Sequence, residues 1–391
     1  LRVLFLHEVG YLEKPIFEMH EFPEHLASQG HQVAFADYPE ARNNESSSSF
    51  GEAIDGRVIP GITLRLYSQR AIFSGIVGRL IAVILFPFFF LRVLNEFKPD
   101  VVVSFAVPTS GWQAVIICKV QKVPLLFRAL DVSHKIRRST FTYLILAAEK
   151  FVYSSASWVS CNNPALLDYC ISLGAKEGKT SVDYPPLDLS HFLEEASKGI
   201  MRGKLGISQE SQVILYMGSF FYFSGLADVL RNLASLSERP VIVLIGGGEQ
   251  DAELRSLTES LGLEDSVKFT GFVDFGDLPA YLSIGDVAIN PMVPSLVSNK
   301  ALPNKVLQYM ASGLPVVTTK LDGLSSIFVD HSGIQSVSDS SKVLAAAVEM
   351  LENGELKALG EANRAAVSQK FDVNHAVQNF EQRLLTLGSR S

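Results

Sequence analysis

The sequence predicts an α/β protein built from two doubly wound, parallel-sheet domains facing each other across a cleft. Three observations lead there. The 391 residues are more than one ordinary core holds. Short β-rich runs alternate with helical stretches through both halves. The tandem prolines Pro185-Pro186 interrupt that rhythm near the middle, because proline suits neither a helix interior nor a central strand.

Taken in order, strands are expected at 3–6, 32–36, 62–66, 101–105, 125–127 and 158–161. An amphipathic helix at 17–29, stopped by Gly30, joins the first two. The serine run within 41–50 predicts a flexible loop. The stretch 181–192 is the expected crossing between domains. A second strand series follows at 213–217, 241–245, 267–269, 287–290 and 316–318, with helices between. A final amphipathic helix, 373–387, is placed to pack back across the hinge. The expected divisions are 1–183, 184–370 and a C-terminal helical segment 371–391. Such domains bind ligands at the carboxyl ends of their strands.

Composition narrows the function. A net charge of −7 argues against nucleic acid as the main partner, since phosphate backbones demand a basic face. Cys118, Cys161 and Cys170 have no metal-ligand spacing and are too few for a disulfide framework, which fits a cytoplasmic setting. The chain opens on a strand with no signal-peptide pattern, and the lack of an initiator Met fits trimming. The histidines have no zinc spacing, so neither metal nor other cofactor is expected. The apolar run 80–91, bounded by Arg79 and Arg92 and interrupted by Pro87, is short of the ~20 residues a spanning helix needs. It predicts either a helix buried against the first sheet or a face that docks peripherally on the inner side of a membrane.

The second half carries the stronger motifs. Gly218-Ser219 ends one strand, where a glycine lets backbone approach a phosphate. Gly246-Gly247-Gly248 ends the next, without the spacing of a dinucleotide fingerprint, which disfavours NAD. The densest constellation is Ser298-Asn299-Lys300-Ala301-Leu302-Pro303-Asn304-Lys305. Pro303 suits a first helical turn, so nearby amides and two lysines form a candidate diphosphate site. Gln308 follows one turn later.

The run from Leu302 to Val317, Leu-Pro-Asn-Lys-Val-Leu-Gln-Tyr-Met-Ala-Ser-Gly-Leu-Pro-Val-Val, resembles the donor-site helix and strand of glycosyltransferase family 4. It is similar to a subgroup with a Leu-Pro-Asn-Lys helix start. Tyr216-Met-Gly-Ser219, Phe269-Thr-Gly-Phe272, the segment 285–291 and Tyr184-Pro-Pro-Leu-Asp-Leu-Ser-His-Phe192 resemble other family segments in the same order. The likeness is close over the second half and looser over the first. It implies a GT-B fold, a nucleotide-sugar donor, and metal-independent transfer with retention to a lipid-linked or glycan acceptor, as in surface polysaccharide or glycolipid synthesis. It also implies donor contacts from Gly10, Gly218, Ser219, Gly247, Phe272, Ser298, Asn299, Lys300, Leu302, Asn304, Lys305 and Gln308.

The departures are informative. Lys300 and Gln308 stand where the family has two glutamates, and Ser219 and Ser224 fall near its usual cations. Lys300 and Lys305 are expected to supply the missing positive charge, with Lys300 near the transferred sugar. In the first half, Arg128 and Asp131 follow a strand and are candidates for contacting phosphate or acceptor and for orienting a sugar hydroxyl. His7, Glu8 and Gly10 are candidates for the acceptor side. No general base is evident, in keeping with same-face attack in which the leaving phosphate oxygen takes the acceptor proton. The alternatives are a catalytically silent relative that binds a nucleotide sugar or a partner protein, and an epimerase or inverting enzyme on the same frame.

Overall fold

The structure, a computed structural model, describes residues 1–38, 50–69, 75–105, 110–136, 141–192, 198–352 and 354–389. Apart from Phe50, the loop expected at 41–50 lies outside them. The chain divides into two compact units, one of Leu1–Pro186 with Asn374–Ser391, the other of Leu187–Val373.

In the first unit eight strands form one sheet. They are β1 (Arg2–Leu6), β2 (Gln32–Asp37), β3 (Glu52–Asp55), β4 (Thr63–Ser68), β5 (Val101–Ser104), β6 (Leu125–Ala129), β7 (Trp158–Cys161) and β8 (Thr180–Val182). Their spatial order is β3-β4-β2-β1-β5-β6-β7-β8, parallel except where β3 runs antiparallel to β4. Every side chain of β5 and β6 is buried, because a parallel sheet is covered on both faces; their runs are apolar except for Ser104 and Arg128. The helices are α1 (Glu18–Ser28), α2 (Gly75–Phe97), α3 (Gly111–Gln121), α4 (Ser133–Ile136), α5 (Thr142–Ser155) and α6 (Pro164–Ser172).

The second unit opens with α7 (Lys198–Lys204). Its six strands are β9 (Val213–Met217), β10 (Val241–Ile245), β11 (Val267–Gly271), β12 (Val287–Asn290), β13 (Val316–Thr319) and β14 (Ile334–Val337). Between them run α8 (Leu226–Ala234), α9 (Asp251–Ser260), α10 (Leu278–Leu282), α11 (Leu296–Lys300), α12 (Asn304–Ala311) and α13 (Asp322–Ser325), and α14 (Val343–Glu352) and α15 (Leu356–Phe371) follow. The order β11-β10-β9-β12-β13-β14 reverses between β9 and β12, the position at which such sheets open a ligand crevice. The last helix, α16 (Val373–Gly388), belongs to the first unit from Asn374 onward. Phe380 packs on Phe22 with ring centroids 4.2 Å apart, and Glu381 meets His31 at 2.7 Å.

Three strands were not legible in the sequence. β3, β8 and β14 are three or four residues long and none carries an unbroken apolar run. The strand expected at 62–66 runs Thr63–Ser68 instead.

The apolar run 80–91 also needs correction. It sits inside a 23-residue helix, and Val77–Phe97 is long and apolar enough to cross a membrane. Pro87 does not break α2. A proline removes the amide that would bond the carbonyl four residues earlier. That carbonyl, Val83 O, instead accepts from Gln113 Nε2 at 2.9 Å. Phe86, Phe90, Val93 and Phe97 are buried, so one face of α2 is packed in the protein.

Candidate functional site

In the second unit the site is built where β9 ends. Gly218 has φ 130°, and a Cβ placed on it would lie 2.8 Å from Lys305 Nζ. The ammonium donates to Tyr216 Oη at 2.8 Å and sits 4.1 Å from the centre of that ring, a cation–π contact. One turn on, Tyr309 accepts from the Met217 amide at 2.5 Å. Lys305 and Tyr309 are four residues apart and share a helix face, so α12 is fastened to the end of β9 by both. Lys305 has no carboxylate partner among the described residues.

The start of α12 adds to that charge. Pro303 is its N-cap and supplies no side-chain acceptor; the Val306 amide donates to Pro303 O at 2.9 Å, while those of Asn304 and Lys305 have no acceptor among the described residues. Uncapped first-turn amides beside a free ammonium are an arrangement that stabilises an anion. Asn304 is exposed, Gln308 half-buried, and Leu302 buried as an apolar anchor.

The neighbouring loops give the glycines a structural meaning. The Gly218 amide donates to Ile245 O at 2.9 Å and the Phe220 amide to Gly247 O at 2.8 Å. A Cβ on Gly246 would meet Gly218 O at 2.2 Å, so the triple glycine lets two loops touch backbone to backbone. Of the amides of residues 218–220, that of Ser219 alone has no backbone acceptor among the described residues, and Ser219 is exposed. The Gly218 amide is thus not available to a ligand. Gly247 faces the ring of Phe272, which is 73% exposed at the end of β11. Ser224, expected near a cation position, is buried with its hydroxyl unpartnered.

Other expected residues are differently placed. Ser298 is buried, and its hydroxyl serves a capping box with Ser295 while also donating to Val293 O at 2.9 Å. It holds α11 together and is not free for donor contact. Asn299 has a buried, unpartnered Oδ1. Lys300 pairs with Asp322 at 3.2 Å, so its charge is partly offset, unlike that of Lys305.

In the first unit, Arg128 is wholly buried. Its guanidinium donates to both oxygens of Glu18 at 2.7 and 2.8 Å, to Ser160 Oγ and to Asp183 O. With every bond directed into the core, it does not touch phosphate or acceptor as expected. The pair was illegible because Glu18 lies 110 residues away. Asp131 is half-buried, its carboxyl pushed up to about 6 by burial and by Glu18.

His7 and Glu8 line a small recess of about 20 Å³ with Asp37, Gln69, Arg79 and Ser110, at the carboxyl ends of β1, β2 and β4. Burial holds His7 down to about 3, so it is neutral near pH 7, and its Nδ1 is buried without a partner. Asp37 is pushed up to about 6 by burial, although it accepts from Ser68 and from the Tyr11 amide. Gly10 does not line this recess; it is buried against Glu13, whose Cδ lies 2.9 Å from a Cβ built on the glycine. Among the described residues no group of three or more His, Cys, Asp or Glu could hold a metal ion.

Two Rossmann-like sheets, with an anion-stabilising helix start at the carboxyl edge of the second, define a GT-B glycosyltransferase architecture. Residues 19–191 match the model of Glycosyltransferase Family 4, and residues 197–367 that of Glycosyl transferases group 1. The chain belongs to the GT-B glycosyltransferases of family 4. It is 27% identical over 180 residues to an uncharacterized glycosyltransferase of Methanocaldococcus jannaschii, covering 45% of each chain. The chain spans about half the length of that relative and of others it matches. It is 24% identical over 265 residues to the lipopolysaccharide core biosynthesis glycosyltransferase LpsD of Rhizobium meliloti, covering 67% of each. Its fold matches Anabaena HepE in complex with UDP at a TM-score of 0.76 and 19% identity, over 99% of this chain and 100% of that one.

Proposed function

We propose that this protein transfers a sugar from a nucleotide-sugar donor to an acceptor hydroxyl, with retention of anomeric configuration and without a metal ion. The observation that carries the reading is the ammonium of Lys305, free of any described carboxylate, beside the uncapped start of α12 and the end of β9. As the bond from anomeric carbon to phosphate breaks, the leaving diphosphate gains charge. Lys305 and the first-turn amides of α12 stabilise it, the part a divalent cation plays elsewhere. The acceptor oxygen bonds the anomeric carbon on the same face, and its proton passes to the departing phosphate oxygen. Phe272 stacks the base, Gln308 binds the ribose hydroxyls, and Asp131 orients a sugar hydroxyl.

The first unit takes the acceptor, a glycan or a lipid-linked sugar of cell-surface polysaccharide or glycolipid synthesis, on the cytoplasmic side. The likeness to LpsD supports that setting, and the UDP bound to HepE makes UDP the first nucleotide to try. Incubation with a panel of nucleotide sugars tests the reading. Release of free nucleoside diphosphate with an unchanged anomer in the product supports it, and no turnover with any donor opposes it. Lys300, at a position where the resembled family has glutamate, favours a second reading, a silent relative that binds the nucleotide sugar or a partner protein. Nucleotide binding without turnover would select it.

A further inference from the structure

The helix α2 has two working faces. Arg79, Ala82, Val83 and Phe86 line the recess that also holds His7 and Asp37. The opposite row, Val77, Leu80, Ile84 and Phe88, faces solvent, with Ile84 68% and Phe88 73% exposed. Their spacing of three and four residues makes one continuous helical stripe. This is not an isolated row. α2 packs on α3 and α3 on α5. The outer faces of those helices carry exposed Ile116, Val120, Tyr143, Leu144 and Phe151, with Val120 74% and Leu144 67% exposed. Lys119 of α3 lies 6.0 Å from the ring of Phe151 on α5, which ties the two faces together.

An apolar face of this breadth on a soluble surface marks an interaction site. Charge decides its occupant. Between residues 75 and 155 the chain has nine Lys and Arg besides the buried Arg128, against four Asp and Glu, within a protein of net charge −7. Arg92, Lys98, Lys119, Lys122 and Lys150 are exposed, gathered at the carboxyl ends of the three helices. Of the four acids, Glu149 is buried and Glu96 receives a hydrogen bond from Tyr67 at 3.4 Å. Apolar side chains bordered by lysines and arginines complement an anionic lipid surface, where the apolar row enters the acyl boundary and the cations meet headgroups. Because its other face is packed in the protein, α2 lies along the bilayer and does not cross it.

We propose that the face formed by α2, α3 and α5 seats on an anionic lipid bilayer, which holds the first unit at the surface where an acceptor carried in that membrane is met. The acceptor half of this statement rests on the transferase reading; the docking half does not.

Co-sedimentation with vesicles tests the docking. The full chain should sediment with phosphatidylcholine vesicles containing phosphatidylglycerol, and much less with phosphatidylcholine alone, and the binding should weaken as salt is raised. Ile84→Glu with Phe88→Glu should abolish it, and each of Lys119→Glu and Lys122→Glu should weaken it by about fivefold. The milder Val120→Ser with Leu144→Ser should weaken it without touching α2. Each variant is also titrated with UDP in the absence of vesicles, which should be unchanged and shows that the protein is folded. Wild-type protein that stays in solution with every vesicle, or variants that sediment as well as wild type, would overturn the proposal. So would a dimer in size-exclusion chromatography that Ile84→Glu converts to monomer, because a second copy would then own the face. Loss of UDP binding in the wild type would instead strike the donor assignment and leave the vesicle result standing.

Discussion

Lys305 lays its ammonium 2.8 Å from the point at which a side chain on Gly218 would begin. This one approach joins the start of α12 to the end of β9. Gly218 also holds φ 130°, a conformation that favours glycine, so its lack of a side chain serves both backbone and ammonium. Gly218→Ala strains the backbone at that φ and displaces the flexible lysine tip, so it should lower thermal stability and weaken UDP binding. Gly225→Ala provides the contrast. Its Cβ would fall 1.9 Å from Pro291 O, a rigid backbone atom, so its soluble folded yield should drop. Expression and UDP titration of the two variants check the distinction.

Lys305→Ala and Phe272→Ala should weaken different parts of the ligand. Removing the ammonium should cost about ten- to a hundredfold in UDP affinity and little in uridine affinity, because a charge-assisted bond to phosphate is lost. Removing the exposed ring should weaken UDP and uridine alike, by about tenfold, since stacking does not see the phosphate. Calorimetric titration of both ligands on both variants separates the two.

Arg128→Met should lower thermal stability sharply. It leaves Glu18 buried and unpaired, a loss of about 3–5 kcal/mol. Arg128→Met with Glu18→Met should recover part of that, because no lone charge remains. Calorimetric unfolding of single and double variants reads the difference. The same loss in both would mean that packing, not charge, dominates the pair.

Asp37 gives a pH signature. Its folded carboxyl is raised from 3.8 to about 6, so the stability it contributes is full below pH 3.8 and is lost as pH rises through about 6. Asp37→Asn should therefore be more stable than wild type at pH 7, by on the order of 2 kcal/mol, with the advantage vanishing toward pH 4. Ser68 can rotate its hydroxyl to accept from the new amide. Buried His7, lowered to about 3, works in the opposite sense, losing stability as pH falls from 6.5 toward 3. Wild type should consequently be less acid-sensitive than the variant between pH 4 and 6. Urea unfolding of both proteins across that range measures it.

Chelation should leave sugar transfer unchanged. With Lys305 and helix amides holding the diphosphate, EDTA in the transfer reaction should not alter the initial rate. Activity lost with EDTA and restored by a divalent cation would contradict the metal-independent reading.

Much of this was legible in the sequence, for a physical reason. The central strands of parallel sheets are buried on both faces, so β1, β5, β9 and β10 announce themselves as unbroken apolar runs. The helix start at Pro303 was legible because its signal is local. The partners were not. Glu18 finds Arg128, Asp322 finds Lys300 and Tyr216 finds Lys305 across separations of 110, 22 and 89 residues, through crossovers that no short pattern encodes. Arg128, expected to contact phosphate or acceptor, became core for that reason. Pro87 was misjudged for a related one, since the side chain that relieves its carbonyl comes from Gln113 on another helix.

The most direct measurement is a crystal structure of the protein soaked with UDP. Difference density for the diphosphate should appear within hydrogen-bond reach of Lys305 Nζ and the first-turn amides of α12, with the base against Phe272. Well-ordered nucleotide at any other position, or none there at saturating ligand, would contradict the account.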